Sequence, residues 1–261
     1  MENRKNKTKI AVCQWCLKDQ SPEGCARAAE LGYDGVAMDF GLWYPQNDLR
    51  REGKLARYVN AFAEKGLRVP SLALNALQVR TPEEAETALK TVNRAVRAAV
   101  ILGADILVIP CFGGMELNTP ESFQRMTGFL QKVCGMAESA GLTVGAETSL
   151  PLEKDKELLQ AVDRGNFRIY FDTANPVMMN FGDPIRMLEE LLPQICEIHV
   201  KDFRDLFGKP RSVFLGHGKG KALEQLTKIR DSGYTGWIVT ENTLPAKALA
   251  QDVQIIREIM G

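Results

Sequence analysis

The sequence contains very little histidine: two residues in 261, at positions 199 and 217. A site that gathers several imidazoles around a cluster of metal ions is therefore not expected. Charge of one sign is also missing, because 33 Lys and Arg residues balance 33 Asp and Glu residues. Without a basic excess, the chain has no overall field that attracts nucleic acid or an anionic membrane. We expect neither as a partner.

Long hydrophobic runs are absent as well. The stretch RAAVILGADILVIP, residues 97–110, is broken by Gly103 and Asp105 and is shorter than a membrane span. The amino terminus, MENRKNKTKI, leads into no apolar region of the kind that a signal peptide contains. We therefore expect a cytoplasmic protein.

The six cysteines are scattered and form no repeated pattern. The spacing Cys13-x-x-Cys16 is found in redox and zinc sites, but no second such pair and no histidine pair accompanies it. In a reducing compartment, scattered cysteines are most simply reduced thiols in the core. We make this interpretation for all six.

Proline and glycine mark the boundaries of the helices. A residue that can cap a helix precedes proline at four places, which predicts four helix starts. These are Ser21-Pro22, Thr81-Pro82, Thr119-Pro120 and Asp183-Pro184. Glycine can adopt the left-handed conformation that ends a helix. We expect helices to end at Gly32, Gly66, Gly103, Gly141, Gly165 and Gly233.

Eight short apolar runs predict eight strands, six of them directly after those glycines. Several runs are apolar without alternation, which is typical of a parallel sheet that is buried on both faces. The runs are KIAVCQW (9–15), YDGVAMDF (33–40), LRVPSLAL (67–74), ADILVIP (104–110), LTVGAET (142–148), NFRIYFD (166–172), QICEIHV (194–200) and YTGWIVTE (234–241). Eight strand–helix units in a chain of about 250 residues predict an α/β fold, a (β/α)8 TIM barrel, as a single domain of residues 1–261.

Four consecutive predicted strands carry a possible metal ligand at their carboxyl ends: Glu147, Asp172, His199 and Glu241. The active site of a TIM barrel lies at this face, so we expect these side chains to converge on one divalent metal ion. Two carboxylates about 4 Å apart repel by about 4 kcal/mol at an effective dielectric constant of 20, which favours a cation between them. Three carboxylates and one imidazole suit Mn²⁺, Mg²⁺ or Co²⁺ and also accommodate Zn²⁺.

With these strand ends and the segments HVKD and GHGKGKALEQLTKIRDSGYTGWIVTEN, the chain resembles the xylose isomerase-like TIM-barrel superfamily over its whole length. It is most similar to sugar (phosphate) isomerases and epimerases of the tagatose 3-epimerase and hydroxypyruvate isomerase type. The resemblance implies that Glu147, Asp172, His199 and Glu241 hold the metal. It also implies a small sugar, ketose or related hydroxy-carbonyl substrate. Glu147 and Glu241 would be catalytic and transfer the proton through an enediolate, in an order that the sequence leaves open.

Further residues are candidates for substrate binding. Glu153 matches a glutamate that binds a substrate hydroxyl in some relatives, but it would equally suit the start of a helix. Asn175 stands where many relatives have a histidine. Lys201 could bind a substrate oxygen or compensate the acids. Trp15 and Phe112 follow the first and fourth strands and could form apolar walls of the site or pack in the core.

The segment after the seventh strand contains several more candidates. Asp202 is expected either to orient a metal ligand or to cap a turn. Arg204 and Arg211 could contact substrate, although arginine is common at any surface. His217 is a candidate for substrate binding, although its glycine-rich setting is more typical of a turn. The backbone amides of this GHGKG segment could hold a phosphate, assisted by Lys219.

Three other functions share part of this pattern. A lyase of the inosose dehydratase type would use the same metal and enolate chemistry to expel water from a cyclic polyol ketone. An apurinic-site endonuclease of the same superfamily needs three zinc ions and several histidines, which this chain lacks. A non-catalytic carbohydrate-binding barrel has no need for two glutamates on a metal ion. We therefore expect a metal-dependent sugar isomerase or epimerase, with homo-oligomerisation left open.

Overall fold

The computed structural model describes residues 8–207 and 209–261. Eight parallel strands close into a barrel in the order β1-β2-β3-β4-β5-β6-β7-β10, and β10 pairs with β1. They are β1 Lys9–Cys13, β2 Gly35–Asp39, β3 Ser71–Ala73, β4 Ile106–Pro110, β5 Thr143–Glu147, β6 Phe167–Asp172, β7 Ile195–Val200 and β10 Trp237–Thr240. Each lies within its predicted run, so the (β/α)8 prediction is confirmed. Residues 1–7, which the sequence analysis included in the domain, lie outside the described part.

Helices separate the strands and surround the barrel. They are α1 Pro22–Ala26, α2 Lys54–Lys65, α3 Pro82–Leu102, α4 Pro120–Glu138, α5 Leu152–Val162, α6 Asn175–Met178, α7 Pro184–Leu191, α8 Ala222–Asp231 and α9 Ala246–Met260. Short 3₁₀ helices occupy Gln14–Cys16, Arg27–Leu31, Pro45–Asn47 and Leu192–Gln194. No helix among the described residues has the length and apolar sequence that crossing a membrane requires.

The predicted helix starts are confirmed, because all four cap side chains accept a hydrogen bond from a backbone amide of the first turn. Several helix ends also follow the prediction, and left-handed glycines cap them at Gly32, Gly66 and Gly103. The prediction for Gly165 is wrong. Helix α5 ends at Val162, and Asp163 takes the left-handed conformation with φ 45°. Aspartate tolerates this conformation because its short polar side chain can bond locally.

A two-stranded antiparallel hairpin between β7 and α8 was not predicted. Its strands are β8 Asp202–Leu206 and β9 Lys209–Val213. Only Lys201 separates β7 from β8, so the hairpin continues from the carboxyl end of the barrel. This end of the barrel is the one at which catalytic side chains of the fold are found.

The hydrophobic core lies mainly between the barrel and its helices, and a smaller cluster lies inside the barrel. Ala73, Ile106, Val108 and Tyr170 form the smaller cluster. All six cysteines are free, and only Cys196 is not fully buried. This agrees with the interpretation of the cysteines as reduced core thiols.

Candidate active site

Four side chains converge at the carboxyl end of the barrel. Glu147 and Asp172 are the last residues of β5 and β6, His199 is the last but one of β7, and Glu241 directly follows β10. In each of the four, one ligand atom lies within 4.8 Å of those of the other three. The structure therefore brings together all four residues that the sequence placed at this rim.

The imidazole of His199 directs its Nδ1 atom at the three carboxylates. This atom lies 3.4 Å from Oε1 of Glu147, 3.9 Å from Oδ2 of Asp172 and 3.8 Å from Oε2 of Glu241. It is buried and has no hydrogen-bond partner among the described residues. A buried polar atom without a partner costs about 1–3 kcal/mol, so its position calls for a ligand.

The remaining surface of the His199 ring is held by neighbours from β1, from the 3₁₀ helix after it and from β6. Its Nε2 atom lies 3.2 Å from Sγ of Cys13. The ring of Tyr170 meets it edge-on, with 4.5 Å between centroids and an interplanar angle of 86°. Trp15 approaches from another side, with 6.3 Å between centroids. The orientation of Nδ1 is therefore fixed by packing as well as by charge.

Lys201 lies among the carboxylates. Its ammonium donates a hydrogen bond to Oε2 of Glu241 at 2.6 Å. It also lies 2.7 Å from Oδ2 of Asp172, as an ion pair without hydrogen-bond geometry. Burial alone would lower the pKa of Lys201, but Asp172 and Glu241 raise it well above its usual value. From the sequence, Lys201 could either bind a substrate oxygen or compensate the acids. The structure places its side chain against the acids.

The surroundings push the pKa values of the two glutamates apart. Burial raises the pKa of Glu147. Burial would do the same to Glu241, but Lys201 and His199 outweigh it and lower the pKa of Glu241 to about 2. Trp15 adds a hydrogen bond from Nε1 to Oε1 of Glu241 at 2.9 Å. Two carboxyl groups with opposite shifts are typical of a pair that divides acid and base roles.

His199 has a raised pKa of its own. Burial would lower it, but the charges of Glu241 and Glu147 raise it to about 9. In the described part of the chain, the side chains of His199 and Lys201 thus offset the negative charge of the three carboxylates.

The donor set fits a divalent metal ion. Three carboxylates and one imidazole nitrogen combine the oxygen ligands that Mg²⁺ and Mn²⁺ prefer with a nitrogen that Co²⁺ and Zn²⁺ also accept. The Nδ1 atom of His199 gives this fit an independent basis, since it is buried, faces the carboxylates and has no hydrogen-bond partner among the described residues. These residues could hold one ion at the mouth of the barrel.

Asp202 binds backbone amides and none of the four converging side chains. Its Oδ1 accepts from the amides of Phe203 and Gly220, each at 2.9 Å. Its Oδ2 accepts from Gly216 at 3.0 Å and Gly218 at 2.9 Å. A Cβ at position 218 would overlap the Asp202 carboxylate, so this position requires glycine. These three glycine amides are already paired and are not free for a phosphate.

Two other candidates lie at or beside the site. Trp15 contacts Glu241 as described, and Asn175 begins α6 next to Asp172. The backbone amide of Asn175 donates to Oδ1 of Asp172 at 3.1 Å, while its side chain donates to the carbonyl of Thr148 at 3.4 Å. Asn175 is thus held beside a carboxylate of the site.

The other substrate-binding candidates lie on the surface, without a described contact to the four converging side chains. Arg204 donates to the backbone carbonyl of His217, and both residues are exposed. The side chain of Glu153 is 74% exposed and pairs with Lys156. Phe112 is 36% exposed. Arg211 and Lys219 are exposed too, and Lys219 pairs with Asp205.

A buried carboxyl group beneath His199 was not predicted from the sequence. Glu197 is fully buried, and its Oε1 accepts hydrogen bonds from Ser71 at 2.7 Å and from Tyr170 at 2.6 Å. Burial raises the pKa of Glu197 to about 7. Its position two residues before His199, on the same face of β7, was the available signal.

Asp39 was missed as well, although it ends β2 just as Asp172 ends β6. It is fully buried and accepts hydrogen bonds from Asn75 at 3.0 Å and from the amide of Gly41 at 2.9 Å. Burial raises the pKa of Asp39 to about 6. It is not part of the converging group.

A closed (β/α)8 barrel with acids and an imidazole at its carboxyl face has the architecture of a TIM-barrel enzyme. The chain belongs to the xylose isomerase-like TIM barrel family, whose model matches residues 25–259. It is 29% identical over 228 residues to 2-epi-5-epi-valiolone 7-phosphate 2-epimerase from Actinoplanes sp., covering 86% of this chain and 83% of that protein. It is 25% identical over 159 residues to inosose dehydratase from Bacillus anthracis, covering 52% of each.

Solved structures share the fold. A xylose isomerase-like TIM barrel protein from Mycobacterium smegmatis, in complex with magnesium, has a TM-score of 0.74 and 16% identity, with 100% of both chains covered. The 3-keto-D-glucoside 4-epimerase from E. coli has a TM-score of 0.75 and 18% identity, with 97% of this chain and 100% of that chain covered. At these identities the similarity shows the fold alone.

Proposed function

We propose that this protein is a divalent-metal-dependent isomerase or epimerase that moves a proton at the carbon next to the carbonyl group of a small polyhydroxylated ketone. The observation that carries the proposal is the convergence of Glu147, Asp172, His199 and Glu241 around the unpartnered Nδ1 of His199. The similarity to an epimerase over most of both chains supports it.

In this proposal the four converging residues hold one Mg²⁺, Mn²⁺ or Co²⁺ ion, with Zn²⁺ as a further candidate. When bound, the ion supplies positive charge that stabilises the negative charge developing on the substrate oxygens. A protein of the same fold has been solved in complex with magnesium, which is in keeping with a divalent ion as the cofactor.

The two glutamates carry the proton transfer. An ionised glutamate can remove the proton next to the carbonyl, and a protonated glutamate can return one to the other face or to the neighbouring carbon. The opposite pKa shifts of Glu147 and Glu241 support this division of acid and base roles. The hydrogen bond from Trp15 orients Glu241 for the transfer.

We favour a sugar or a cyclic polyol ketone as the substrate class. The names of the two relatives, 2-epi-5-epi-valiolone 7-phosphate 2-epimerase and inosose dehydratase, indicate substrates of this kind. We further propose that the partner is a small molecule, which the balanced charge of the chain supports, and that the protein is cytoplasmic. The similarity to inosose dehydratase favours dehydration of such a ketone as a second candidate function. Both functions begin with removal of the same type of proton.

The test is proton exchange in D₂O, followed by proton NMR over a panel of cyclic and open-chain polyhydroxylated ketones. We expect one ketone to lose the signal of the hydrogen next to its carbonyl when the protein is supplied with Mn²⁺ or Mg²⁺, and a chelator to stop the loss. Exchange without loss of water identifies an epimerase or isomerase, and an unsaturated product identifies a dehydratase. Exchange that continues after complete metal removal would contradict the proposal.

A further inference from the structure

The thiol of Cys13 is the hydrogen-bond partner of His199 on the side of the ring that faces away from the carboxylates. Its Sγ lies 3.2 Å from Nε2, and both side chains are at most 1% exposed. Cys13 is the last residue of β1, while His199 belongs to β7, and β10 lies between these strands. The contact therefore depends on closure of the barrel.

A neutral imidazole carries one proton, on either Nδ1 or Nε2. Nδ1 can bind a metal ion only if the proton is on Nε2, and the partner of Nε2 selects this tautomer. In most proteins that partner is a carboxylate, a backbone carbonyl or a water molecule. Here Nε2 faces a thiol, whose sulfur can accept the N–H bond.

Cys13 is not placed to serve as a further ligand of the same ion. Its sulfur lies close enough to His199 and Glu241 to form a donor group with them. However, it faces Nε2, whereas Glu147 and Asp172 face Nδ1. One ion cannot bind both nitrogens of one imidazole, so the thiol and these two carboxylates cannot share an ion with His199.

We propose that Cys13 is a positioning residue: it accepts a hydrogen bond from Nε2 of His199 and thereby presents the lone pair of Nδ1 to the metal ion. This inference rests on the proposed function, since it concerns the same metal site. Tyr170 and Trp15 restrict the ring by packing, but neither forms a hydrogen bond with it among the described contacts. The tautomer is therefore set by Cys13.

The first test measures the dissociation constant for Mn²⁺ without substrate. We expect Cys13→Ala to weaken binding by roughly 10- to 100-fold, the usual effect of losing a partner behind a ligand. Cys13→Ser should restore most of the affinity, because its hydroxyl can also accept the hydrogen bond. Cys134→Ala is the matched control, since this buried thiol lies in α4 away from His199. If Cys13→Ala does not fold, Cys13→Val, which fills the space without accepting a hydrogen bond, takes its place.

The second test reads the tautomer directly and uses the scarcity of histidine. With ¹⁵N-histidine labelling, the His217→Gln variant leaves only the imidazole signals of His199. We expect long-range ¹H–¹⁵N spectra, recorded without metal at a pH at which the imidazole is neutral, to show the proton on Nε2, and Cys13→Ala to mix the tautomers.

The outcomes separate this inference from the proposed function. If the wild-type protein binds neither Mn²⁺ nor Mg²⁺, the proposed function fails and this inference fails with it. If the wild type binds Mn²⁺ but Cys13→Ala binds it equally well, only the inference on Cys13 is overturned. It is also overturned if the Co²⁺-loaded protein shows a sulfur-to-metal charge-transfer band that Cys13→Ser removes, because Cys13 would then be a ligand.

Discussion

The ammonium of Lys201 lies 2.6 Å from Oε2 of Glu241, inside the group of residues that we propose as metal ligands. It also pairs with Asp172 at 2.7 Å. A divalent ion bound at this site would compete with the ammonium for the same carboxylate oxygens. Lys201 is thus a built-in counter-ion for Asp172 and Glu241.

Lys201→Met should destabilise the metal-free protein more than the metal-loaded one. Removing one partner of a buried ion pair leaves uncompensated charge and typically costs about 3–5 kcal/mol. The side chains of Lys201 and Glu241 are only 19% and 20% exposed, so solvent compensates them little. Urea unfolding with and without Mg²⁺ measures the effect. Lys219→Met, at an exposed pair with Asp205, should change the free energy of unfolding by no more than about 0.5 kcal/mol. Equal losses in the two variants would contradict the role of Lys201.

Glu147→Gln and Glu241→Gln should each remove nearly all turnover. A positioned acid or base contributes about 10²- to 10⁴-fold to the rate, and glutamine cannot exchange a proton in this role. The deuterium-exchange assay measures the loss, and equilibrium binding should show that the ketone still binds. Glu86→Gln is the control, because this exposed side chain of α3 pairs only with Lys90 among the described ion pairs. Near wild-type turnover in both variants would refute the assignment.

Metal binding should release protons and strengthen with pH. The pKa of His199 is about 9 in the metal-free protein, so a proton occupies the imidazole at pH 7 and must leave before Nδ1 can bind an ion. Because the metal displaces this proton, affinity for Mn²⁺ should rise by up to about tenfold per pH unit between pH 7 and 9 and level off above the pKa. Calorimetry in buffers of different ionisation enthalpy counts the released protons. The His217→Gln variant should behave like the wild type, and binding without proton release would be inconsistent with a protonated His199.

Asp202→Ala should be strongly destabilising. The carboxylate accepts four backbone amides, and hydrogen bonds to a charged group contribute about 1.5–3 kcal/mol each. We expect a loss of at least about 3 kcal/mol, together with faster hydrogen exchange at Gly216, Gly218 and Gly220. Asp205→Ala removes a carboxylate from the exposed part of the same strand and is the control. If the two substitutions had the same small effect on unfolding, the hydrogen bonds of Asp202 to the backbone amides would have no energetic importance.

The architecture could be predicted because its signals are local and repeated. The cap at Thr81 precedes a helix that ends before Gly103, and the apolar run ADILVIP follows as β4. Eight such units leave few alternatives to a closed barrel. The convergence of Glu147 and Asp172 follows from the same rule, since the ends of parallel strands meet at one rim.

The contacts that tune the site could not be predicted, because they join residues far apart in the chain. Cys13 and His199 are separated by 186 positions, and Ser71 and Glu197 by 126. Only the register of the closed barrel decides which side chains face each other. The anchoring of the glycine-rich loop by Asp202 depends in the same way on the hairpin of β8 and β9.

That hairpin was missed for a different reason. Its two strands expose most of their side chains, and β9 contains Pro210. A short polar ribbon of this kind has no continuous apolar face, which is the strongest indicator of a strand.

All four candidate ligands come from β5, β6, β7 and the residue after β10, so residues 143–241 provide the complete set. Strand β1 and the 3₁₀ helix that follows it instead provide supporting contacts, those of Cys13 and Trp15. The loops that follow β1 to β4 open at the same mouth. Sequence changes in these loops can therefore alter the walls of the mouth without replacing any of the four candidate ligands.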